Sequence, residues 1–389
     1  MKVLEINCDC GCFSTGKIVS DISTELIKNG NECLCCYGRD FKDTGIPVYK
    51  IGTKIDVYYH ALMARLFDAC GLFSTLATKK AIKVIQSFDP DLIHLHNIHG
   101  YYLNIKVLFN YLKTCGKPII WTMHDCWAFT GHCSHFEIVN CNLWQSNCSK
   151  CCQTYAYPKS FFSFSSRNFL IKKQLFSMVP NLTIVTPSLW LKDKVLLSFL
   201  NVHPSIVINN GIDTNVFNRR DTNYFDGYPF KNKKVILGVA SKWTVKKGIN
   251  DFYTLSNVID DKRFVIFLVG LSKQQIKTLP KNIYGISRTH NSLELANIYS
   301  SSFVLFNPTY EDTYPTVNLE AQSCGLPVIT YNTGGSAESV PENQAINKGD
   351  VSSFVSLIEK EKLHVVSNIK DKKEMVADYL ALFRKVLIK

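Results

Sequence analysis

The sequence predicts an α/β protein built from two doubly wound, Rossmann-like domains. Its 389 residues favour two domains, because a domain commonly holds about 100 to 200 residues. Short β-branched runs alternate with amphipathic segments along the whole chain, which is typical of βαβ units with parallel sheets. A polar stretch without periodicity lies near the middle and divides this alternation into two series.

Each series contains six predicted strands. In the first series they are Val3–Cys8, Glu32–Tyr37, Leu92–Leu95, Pro118–Thr122, Leu182–Thr186 and Ser205–Ile208. In the second they are Lys234–Ala240, Phe264–Val269, Ile283–Ile286, Phe303–Asn307, Pro327–Thr330 and Gln344–Ile346. Apolar residues at helical spacing predict helices in the first series at Lys17–Lys28, Val57–Ser87 and Leu103–Thr114.

The predicted domain limits follow from the polar stretch Asn210–Lys233, which is rich in Asn, Asp, Arg and Lys. We place an N-terminal domain at residues 1–213 and a C-terminal domain at residues 214–371. Apolar residues at helical spacing predict a last helix, residues 372–389, that packs back on the N-terminal domain. Because ligands bind at the carboxyl ends of parallel strands, a cleft between the domains is expected to hold the ligand.

The composition narrows the class of protein. Hydrophobic residues make up 46% and charged residues 20%, which excludes a disordered chain. The net charge of +12 favours anionic partners. No apolar run approaches the roughly 18 to 20 residues that span a bilayer, and the first strand follows Met1 without an apolar signal segment. We therefore expect a cytoplasmic protein, at most peripheral on the inner face of the plasma membrane, with reduced cysteines.

Two loops have the composition of a phosphate-binding site. Asn7–Lys17 joins the first strand to the first helix and contains Gly16, which lets the backbone approach a ligand. The second loop carries Asp312, and Glu320 follows eight residues later on a helix. This spacing suits a ligand with hydroxyls at both ends and a phosphate between them, as in a sugar nucleotide. From these residues alone, a tight βα turn and an ordinary acidic helix start remain alternatives.

The sequence motifs around these residues resemble those of the family 4 retaining glycosyltransferases, which have the GT-B fold and are of the type found in bacterial surface-polysaccharide biosynthesis. The motifs that show this similarity are Ser14–Gly16, Asn209–Asp213 with Phe217, Trp243–Ile249, Asp312–Glu320 with Ala321–Val328, and Asn332–Glu338. They resemble, in that order, the first Gly-rich loop, the N-G-[VI]-D…F segment, the phosphate-binding lysine loop, the E-x7-E motif with A-x-x-x-G-x-P-V, and the G-G-x-x-E turn.

The resemblance implies a role for each matching residue of the donor site. Glu320 would bind the ribose hydroxyls and Lys247 the diphosphate. The first position of the motif is Asp312 rather than Glu, with Glu311 one place earlier, so which carboxylate meets the donor sugar is left open.

Two further departures change the expected phosphate contacts. Pro315 stands where the family usually has Gly, which leaves the backbone amides of Thr316 and Val317 as donors. Ser241 stands where the family has Arg, so we expect Lys242 to supply the charge. The resemblance implies no metal or other cofactor for catalysis.

A histidine-rich pair of strand ends forms the next candidate. His124 and Asp125 follow the strand Pro118–Thr122, where such a pair can orient a sugar hydroxyl or stabilise charge. The family has a histidine here beside the donor sugar, and we assign that role to His124; a structural histidine is the alternative. His94, His96 and His99 are expected on one face of their strand, where they shape the loop.

Cysteines cluster in a polar insertion, residues 126–160. Cys133, Cys141, Cys148 and Cys151 have the spacing C-x7-C-x6-C-x2-C, beside His132 and His135. This pattern resembles a four-cysteine structural zinc site, in which Cys148 and Cys151 form the knuckle. The four cysteines either bind zinc or are free thiols, and a disulfide is disfavoured in a reducing compartment.

A stretch from Tyr155 to Phe176 is aromatic and basic without one acidic residue. Together with Tyr58–Phe73 it is suited to lie on an anionic membrane, with aromatic side chains in the interface and cations at headgroups. Burial of the same aromatics in the N-terminal domain is the alternative.

These observations predict a glycosyltransferase that moves a sugar from a UDP- or GDP-sugar to a glycan or polyprenyl-linked glycan, as in O-antigen, lipopolysaccharide, capsule or exopolysaccharide synthesis. A nucleotide-sugar epimerase of the same fold is the alternative enzyme. A zinc-stapled nucleic-acid-binding protein would use the positive charge but leaves the carboxylate motif unexplained, so no nucleic-acid partner is expected.

Overall fold

The computed structural model describes residues 1–230 and 232–388. The chain divides into two compact units. Unit 1 comprises Met1–Ile208 and the residues from Met375 onward, and unit 2 comprises Asn209–Glu374. The domain limits predicted from the sequence, after residues 213 and 371, lie within a few residues of the points where the chain passes from one unit to the other.

Unit 1 contains a sheet of seven parallel strands in the order β3-β2-β1-β4-β5-β6-β7. The strands are β1 Lys2–Asn7, β2 Glu32–Tyr37, β3 Val48–Lys50, β4 Leu92–Leu95, β5 Ile119–Thr122, β6 Leu182–Thr186 and β7 Ser205–Val207. Strands β1, β4, β5 and β6 are almost fully buried, which explains their continuous apolar runs. The short strand β3, half-buried and only three residues long, was not predicted.

Six helices of unit 1 connect these strands. They are α1 Phe13–Lys28, α2 Lys54–Phe67, α3 Thr75–Phe88, α4 Ile105–Leu112, α5 Ser165–Phe176 and α6 Leu189–Leu197. The predicted single helical region Val57–Ser87 is in fact two helices, α2 and α3. Helix α2 ends at Phe67 and is followed by Asp68, whose φ is +48°, and Ser74 before α3 has a φ of +62°. Left-handed backbone at both residues interrupts the helix.

The insertion 126–160 contains three short 3₁₀ turns, at Trp127–Phe129, Glu137–Val139 and Leu143–Gln145. It is nevertheless packed, because Phe136 and Trp144 are buried and their rings stack with centroids 4.8 Å apart. Both side chains belong to the hydrophobic core that also contains Phe129. The insertion is therefore held mainly by side-chain packing rather than by regular backbone hydrogen bonds.

Unit 2 contains a sheet of six parallel strands in the order β10-β9-β8-β11-β12-β13. The strands are β8 Lys234–Val239, β9 Phe264–Val269, β10 Ile283–Ile286, β11 Val304–Asn307, β12 Val328–Tyr331 and β13 Ala345–Ile346. The helices are α7 Ile249–Val258, α8 Lys273–Lys277, α9 Ser292–Ser300, α10 Thr316–Ser323 and α11 Val351–Lys360. The strand order reverses between β8 and β11, which is the usual ligand-binding point of such a sheet.

The last helix, α12 Lys372–Leu387, packs on unit 1. Its buried residues, among them Met375, Tyr379 and Phe383, form one hydrophobic cluster with Val3 of β1 and Leu92 of β4. Tyr379 also donates to or accepts from the Thr122 hydroxyl at 3.1 Å. The two predicted doubly wound sheets are confirmed, and this helix completes the core of the first.

Candidate functional site

A buried carboxylate organises two histidines at the sheet of unit 1. Glu5 on β1 is paired in register with His94 on β4. Its two oxygens lie 3.1 Å from Nδ1 of His94 and 2.9 Å from Nε2 of His96. Burial raises the pKa of Glu5, but the two imidazoles outweigh it and hold the pKa at about 2. Glu5 is therefore an ionised acceptor for both rings.

His96 connects this carboxylate to His124. Nδ1 of His96 lies 3.0 Å from Nε2 of His124, and the two rings stack at an angle of 9°. Burial lowers the pKa of His96 to about 4 and lowers that of His124 well below its usual range. Both rings are thus neutral near pH 7. Because Nε2–H of His96 donates to Glu5, its Nδ1 must accept, so His124 carries its proton on Nε2.

His99 has a different position from the one predicted. His94 and His96 both contact Glu5, whereas His99 follows the end of β4 and its Nε2 lies 2.9 Å from Asp125 Oδ2. Asp125 also accepts the backbone N–H of Trp127 at 2.9 Å. Burial raises the pKa of Asp125, but chiefly His99 holds it at about 2. The expectation that all three histidines share one face was wrong, because the strand alternation ends at Leu95.

The first Gly-rich loop is tightly packed. Gly16 lies inside α1, and a Cβ there would be 3.2 Å from the backbone of Asp9. The carbonyl of Gly16 accepts the N–H of Gly11 at 3.0 Å. A Cβ at position 16 would require the loop to shift by a few tenths of an ångström, and a role of Gly16 in donor binding stays a prediction.

In unit 2, two adjacent lysines pair with two adjacent carboxylates. Nζ of Lys246 lies 2.6 Å from Glu311 Oε2, and Nζ of Lys247 lies 2.7 Å from Asp312 Oδ2. The Glu311 side chain is 2% exposed and that of Asp312 21% exposed. The sequence left open whether Glu311 or Asp312 meets the donor sugar. In the structure Glu311 is buried inside the unit, whereas Asp312 is partly exposed. Lys242, in the preceding loop, is exposed.

A turn after β12 fixes the loop that carries Asp312. The backbone N–H of Gly335 donates to the carbonyl of Asp312 at 3.0 Å. Gly334 has a φ of +56°, and a Cβ on it would lie 1.9 Å from that same carbonyl oxygen. Only glycine fits against the loop at this point.

Helix α10 carries the second carboxylate of the motif. Glu320 accepts a hydrogen bond from the Tyr299 hydroxyl at 3.1 Å. Burial and the neighbouring carboxylate raise the pKa of Tyr299, so the phenol remains a donor. Pro315 precedes α10 and gives it no side-chain cap, so Thr316 and Val317 supply the first two helical amides.

The four predicted zinc ligands Cys133, Cys141, Cys148 and Cys151 line one cavity, together with His132. Within residues 1–230 and 232–388, the group of metal-ligating side chains with three ligand atoms inside 4.8 Å is Glu5–His94–His96, and the cysteines form no such group. The hydrogen bonds described above already account for the Glu5 group. Zinc at the cysteines therefore remains a prediction.

The two segments predicted at a membrane adjoin each other. The N–H of Phe161 donates to the carbonyl of Arg65 in α2 at 2.8 Å. Large apolar side chains are exposed on both segments, at Tyr58, Tyr59, Leu62, Phe67, Tyr155, Phe161, Phe162 and Phe164, and also at Ile55 just before the first segment. We call these nine residues the aromatic surface. No helix among the described residues has the length and apolarity needed to cross a bilayer.

Several of these residues were missed by the sequence analysis. Glu5 had a signal, since it is an acidic residue inside the apolar run of β1, but nothing in the sequence identified its partners. Lys246 was overlooked beside Lys247, and Tyr299 lies on a helix with no motif around it. Each is recognised only when the strands and loops are brought together.

Comparison with known proteins agrees with this architecture. The model of "Glycosyltransferase Family 4" matches residues 15–216, and that of "Glycosyl transferases group 1" matches residues 233–360. Sulfoquinovosyl transferase SQD2 of Arabidopsis thaliana is 25% identical over 189 residues, 45% of this chain and 36% of that protein. The capsular polysaccharide biosynthesis glycosyltransferase CapM of Staphylococcus aureus is 24% identical over 195 residues, 46% of this chain and 51% of that protein. The chain thus spans about a third and a half of these two relatives.

A solved structure of Anabaena HepE, in complex with UDP and glucose, superposes with a TM-score of 0.69 at 14% identity, covering 99% of both chains. At this identity the likeness concerns the fold, and the fold is that of the GT-B class. Because a single family model matches more than half of its residues, the chain belongs to glycosyltransferase family 4.

Proposed function

We propose that this protein transfers a sugar, with retention of configuration, from a nucleoside diphosphate sugar to a glycan acceptor. The observation that carries the proposal is the arrangement in unit 2: Asp312, paired with Lys247, lies in the loop just before α10, and Glu320 lies on α10 itself. These groups offer a cation, amide donors and two carboxylates, which match the diphosphate and the hydroxyls at the two ends of such a donor.

Each donor-site residue has a proposed role that agrees with its surroundings. Lys247 exchanges Asp312 for the diphosphate and, with the exposed Lys242 and the amides of Thr316 and Val317, stabilises the leaving group without a metal ion. Asp312, rather than the buried Glu311, is then free to meet hydroxyls of the donor sugar. We propose that Glu320, positioned by Tyr299, accepts hydrogen bonds from the ribose.

His124 is the proposed sugar-contacting residue of unit 1. Its proton is held on Nε2 by His96, which fixes the tautomer with which the ring would meet a sugar hydroxyl. Asp125, held by His99 and the Trp127 amide, positions the adjoining loop. A neutral imidazole suits this task because it polarises the hydroxyl without adding a charge.

We further propose a lipid-linked acceptor at the cytoplasmic face of a membrane. The aromatic surface and the nearby cations of Lys54, Arg65 and Arg167 support this, since exposed aromatic groups flanked by cations bind anionic interfaces. The relative CapM takes part, by its name, in capsular polysaccharide biosynthesis. Surface-polysaccharide intermediates are therefore the first acceptors to test.

The decisive experiment incubates the purified protein with radiolabelled UDP- and GDP-sugars, with and without membrane lipid extract. UDP donors come first because HepE was solved with UDP. Transfer of label to the lipid fraction, dependent on Glu320, supports the proposal. Conversion of the donor sugar without any acceptor would instead indicate an epimerase, and no turnover or binding of any nucleotide would contradict both enzymes.

A further inference from the structure

The cavity in the insertion is lined by more than one kind of metal-binding side chain. Five cysteines and one histidine line it, namely Cys133, Cys141, Cys148, Cys151, the exposed Cys152 and His132. Soft thiolates with imidazole are the usual ligands of structural zinc in proteins. The cavity therefore brings together, from residues spread over the insertion, the ligand types that a zinc ion requires.

Three of the thiols have surroundings that suit a bound metal. The Cys133 and Cys151 thiols are hydrogen bonded to each other. Sγ of Cys148 accepts the backbone N–H of Gly131 at 3.1 Å, and Cys151 accepts the N–H of Gln153. Backbone N–H groups aimed at sulfur stabilise thiolates, so Cys148 and Cys151 are prepared for negative charge, and Cys133 is held beside Cys151 by the hydrogen bond between their thiols.

His132 supplies an independent observation. Its Nδ1 is hydrogen bonded to the buried carboxylate of Asp68, which leaves Nε2 with the lone pair. Although the side chain is buried, Nε2 has no hydrogen-bond partner among the described residues. In zinc sites a histidine ligand commonly has one ring nitrogen hydrogen bonded to a carboxylate, which fixes the tautomer and directs the other nitrogen at the metal.

We propose that a zinc ion binds in this cavity through the sulfur atoms of Cys133, Cys148 and Cys151 and through Nε2 of His132. Four such ligands give a closed tetrahedral site, which is structural rather than catalytic. Each of the three thiols releases its proton to solvent when the zinc–sulfur bond forms. Cys141 lines the cavity without being a ligand. No three of these ligand atoms lie within 4.8 Å of one another in the described residues, so binding requires the side chains to rotate towards a common centre.

The surroundings can balance the charge of this site. Three thiolates and one Zn²⁺ carry one net negative charge. The buried ammonium of Lys172 donates to the carbonyls of Trp127 and Thr130 at 2.7 and 3.1 Å and interacts electrostatically with Cys133 and Cys148. A bound zinc ion would link the His132–Cys133 segment of the insertion to the Cys148–Cys151 segment.

The test begins with zinc content. Full-length protein from zinc-supplemented cells is dialysed against metal-free buffer and analysed by inductively coupled plasma mass spectrometry. About one equivalent of zinc is expected, because structural sites bind zinc tightly at neutral pH. Less than about 0.1 equivalent in native, monodisperse protein would overturn the proposal.

Substitution with Co²⁺ then identifies the ligands. The thiolate-to-metal charge-transfer absorbance grows with the number of thiolates, and an intensity for three is expected. An intensity for four would replace His132 by Cys141 and overturn the ligand set proposed here. Cys148→Ser should lose the metal, whereas Cys141→Ser and the exposed neighbour Cys152→Ser should keep it.

His132 needs two variants because its removal disturbs the buried Asp68. His132→Ala should lose zinc, and His132→Cys should regain it by supplying a fourth thiolate. Zinc retained by His132→Ala at the wild-type level would contradict the proposal. Since zinc content and the cobalt spectrum are read without any transfer assay, a failure here leaves the proposed glycosyl transfer untouched, and the reverse also holds.

Discussion

Nδ1 of His96 lies 3.0 Å from Nε2 of His124, and the far side of the same His96 ring is hydrogen bonded to Glu5. The three side chains form a line from the interior of the sheet to the loop after β5. This line sets which nitrogen of His124 carries the proton. The buried His96 therefore influences the protonation of a residue at the proposed site, His124.

Replacing His96 by Leu should lower kcat with little change in the KM for the donor. The variant removes the acceptor that fixes His124, and a fall of about 10- to 100-fold is expected, as for outer residues that orient metal-bound histidines. His96→Gln, which keeps an acceptor, should recover part of the rate. Steady-state kinetics and ¹⁵N NMR of the His124 ring test this directly.

His94→Gln is the matched control, because His94 shares Glu5 but its other nitrogen contacts Thr122 rather than His124. This variant should keep most of the activity. Equal losses in the His94 and His96 variants, with an unchanged His124 tautomer, would mean that His96 acts only on stability.

The adjacent lysines of unit 2 should respond differently to removal. Lys247→Ala should leave the melting temperature nearly unchanged, because Asp312 is partly solvated, but lower turnover about 100-fold or more through loss of phosphate stabilisation. Lys246→Ala removes the cation beside the buried Glu311 and should cost about 1 to 3 kcal/mol of stability. Thermal unfolding and donor titration by calorimetry separate the two effects. A stable, fully active Lys247→Ala protein would refute the donor site.

Gly334→Ala should disable the donor site without touching a proposed ligand. Its Cβ would meet the Asp312 carbonyl at 1.9 Å and displace the loop, so donor affinity should fall at least about tenfold. Gly349→Ala is the control, since Gly349 also has a positive φ but its Cβ would meet nothing closer than 3.8 Å. The control should lose only about 1 to 2 kcal/mol of stability. Similar donor affinities in both variants would contradict the argument.

Unit 1 should lose stability as the pH falls from about 6.5 towards 4. Burial lowers the pKa of His60 from 6.5 to about 4, and Nε2 of that ring accepts the N–H of Gly71 at 3.0 Å. Between about pH 6.5 and pH 4, His60 is therefore protonated in the unfolded chain but not in the folded chain. The stabilisation is complete above pH 6.5 and is lost at lower pH, by roughly 3 kcal/mol for a shift of this size.

Urea unfolding at pH 7.5 and pH 5 measures this effect through tryptophan fluorescence, since four of the five tryptophans belong to unit 1. His96 shifts in the same direction and adds to the loss. His60→Gln should make the dependence of unfolding free energy on pH shallower by about one proton. An identical dependence in this variant would count against a neutral His60.

The aromatic surface should bind vesicles of phosphatidylglycerol at low salt more strongly than vesicles of phosphatidylcholine. Replacing Ile55 and Phe161 by Ser should lower the partition coefficient about tenfold or more, because each large apolar side chain contributes up to roughly 1.5 to 3 kcal/mol when buried. Val258→Ser, a comparably exposed apolar residue of unit 2, is the control. Flotation assays with equal binding of all three proteins would dismiss the surface.

The strands were predictable because buried parallel strands are continuous apolar runs. Glu32–Tyr37 and Phe264–Val269 were predicted with the bounds that the structure has. The split between α2 and α3 was not, since Asp68 and Ser74 adopt left-handed backbone that their sequence does not require. A distant residue contacts this break, since the side chain of Asn168 donates to the Asp68 carbonyl.

The site was predictable where motifs are local and not where contacts are distant. Asp312 and Glu320 were proposed from their spacing together with the neighbouring motifs that resemble the family, and the structure adds that Asp312 is more exposed than the adjacent Glu311. Glu5 and His96 are 91 residues apart, and the contact exists because β1 and β4 are neighbours in the sheet. A sequence pattern contains no information on which strands adjoin until the strand order is known.

The membership of α12 in unit 1 has a consequence for how the protein is made. Tyr379 reaches the Thr122 hydroxyl, and Thr122 in turn contacts His94, one of the two imidazoles on Glu5. The ribosome must synthesise all of unit 2, residues 209–374, before Tyr379 exists. Until then the apolar residues of β1 and β4 that α12 covers stay uncovered on the nascent chain. We therefore expect unit 1 to mature last although its synthesis begins first, and to need protection from aggregation during that interval.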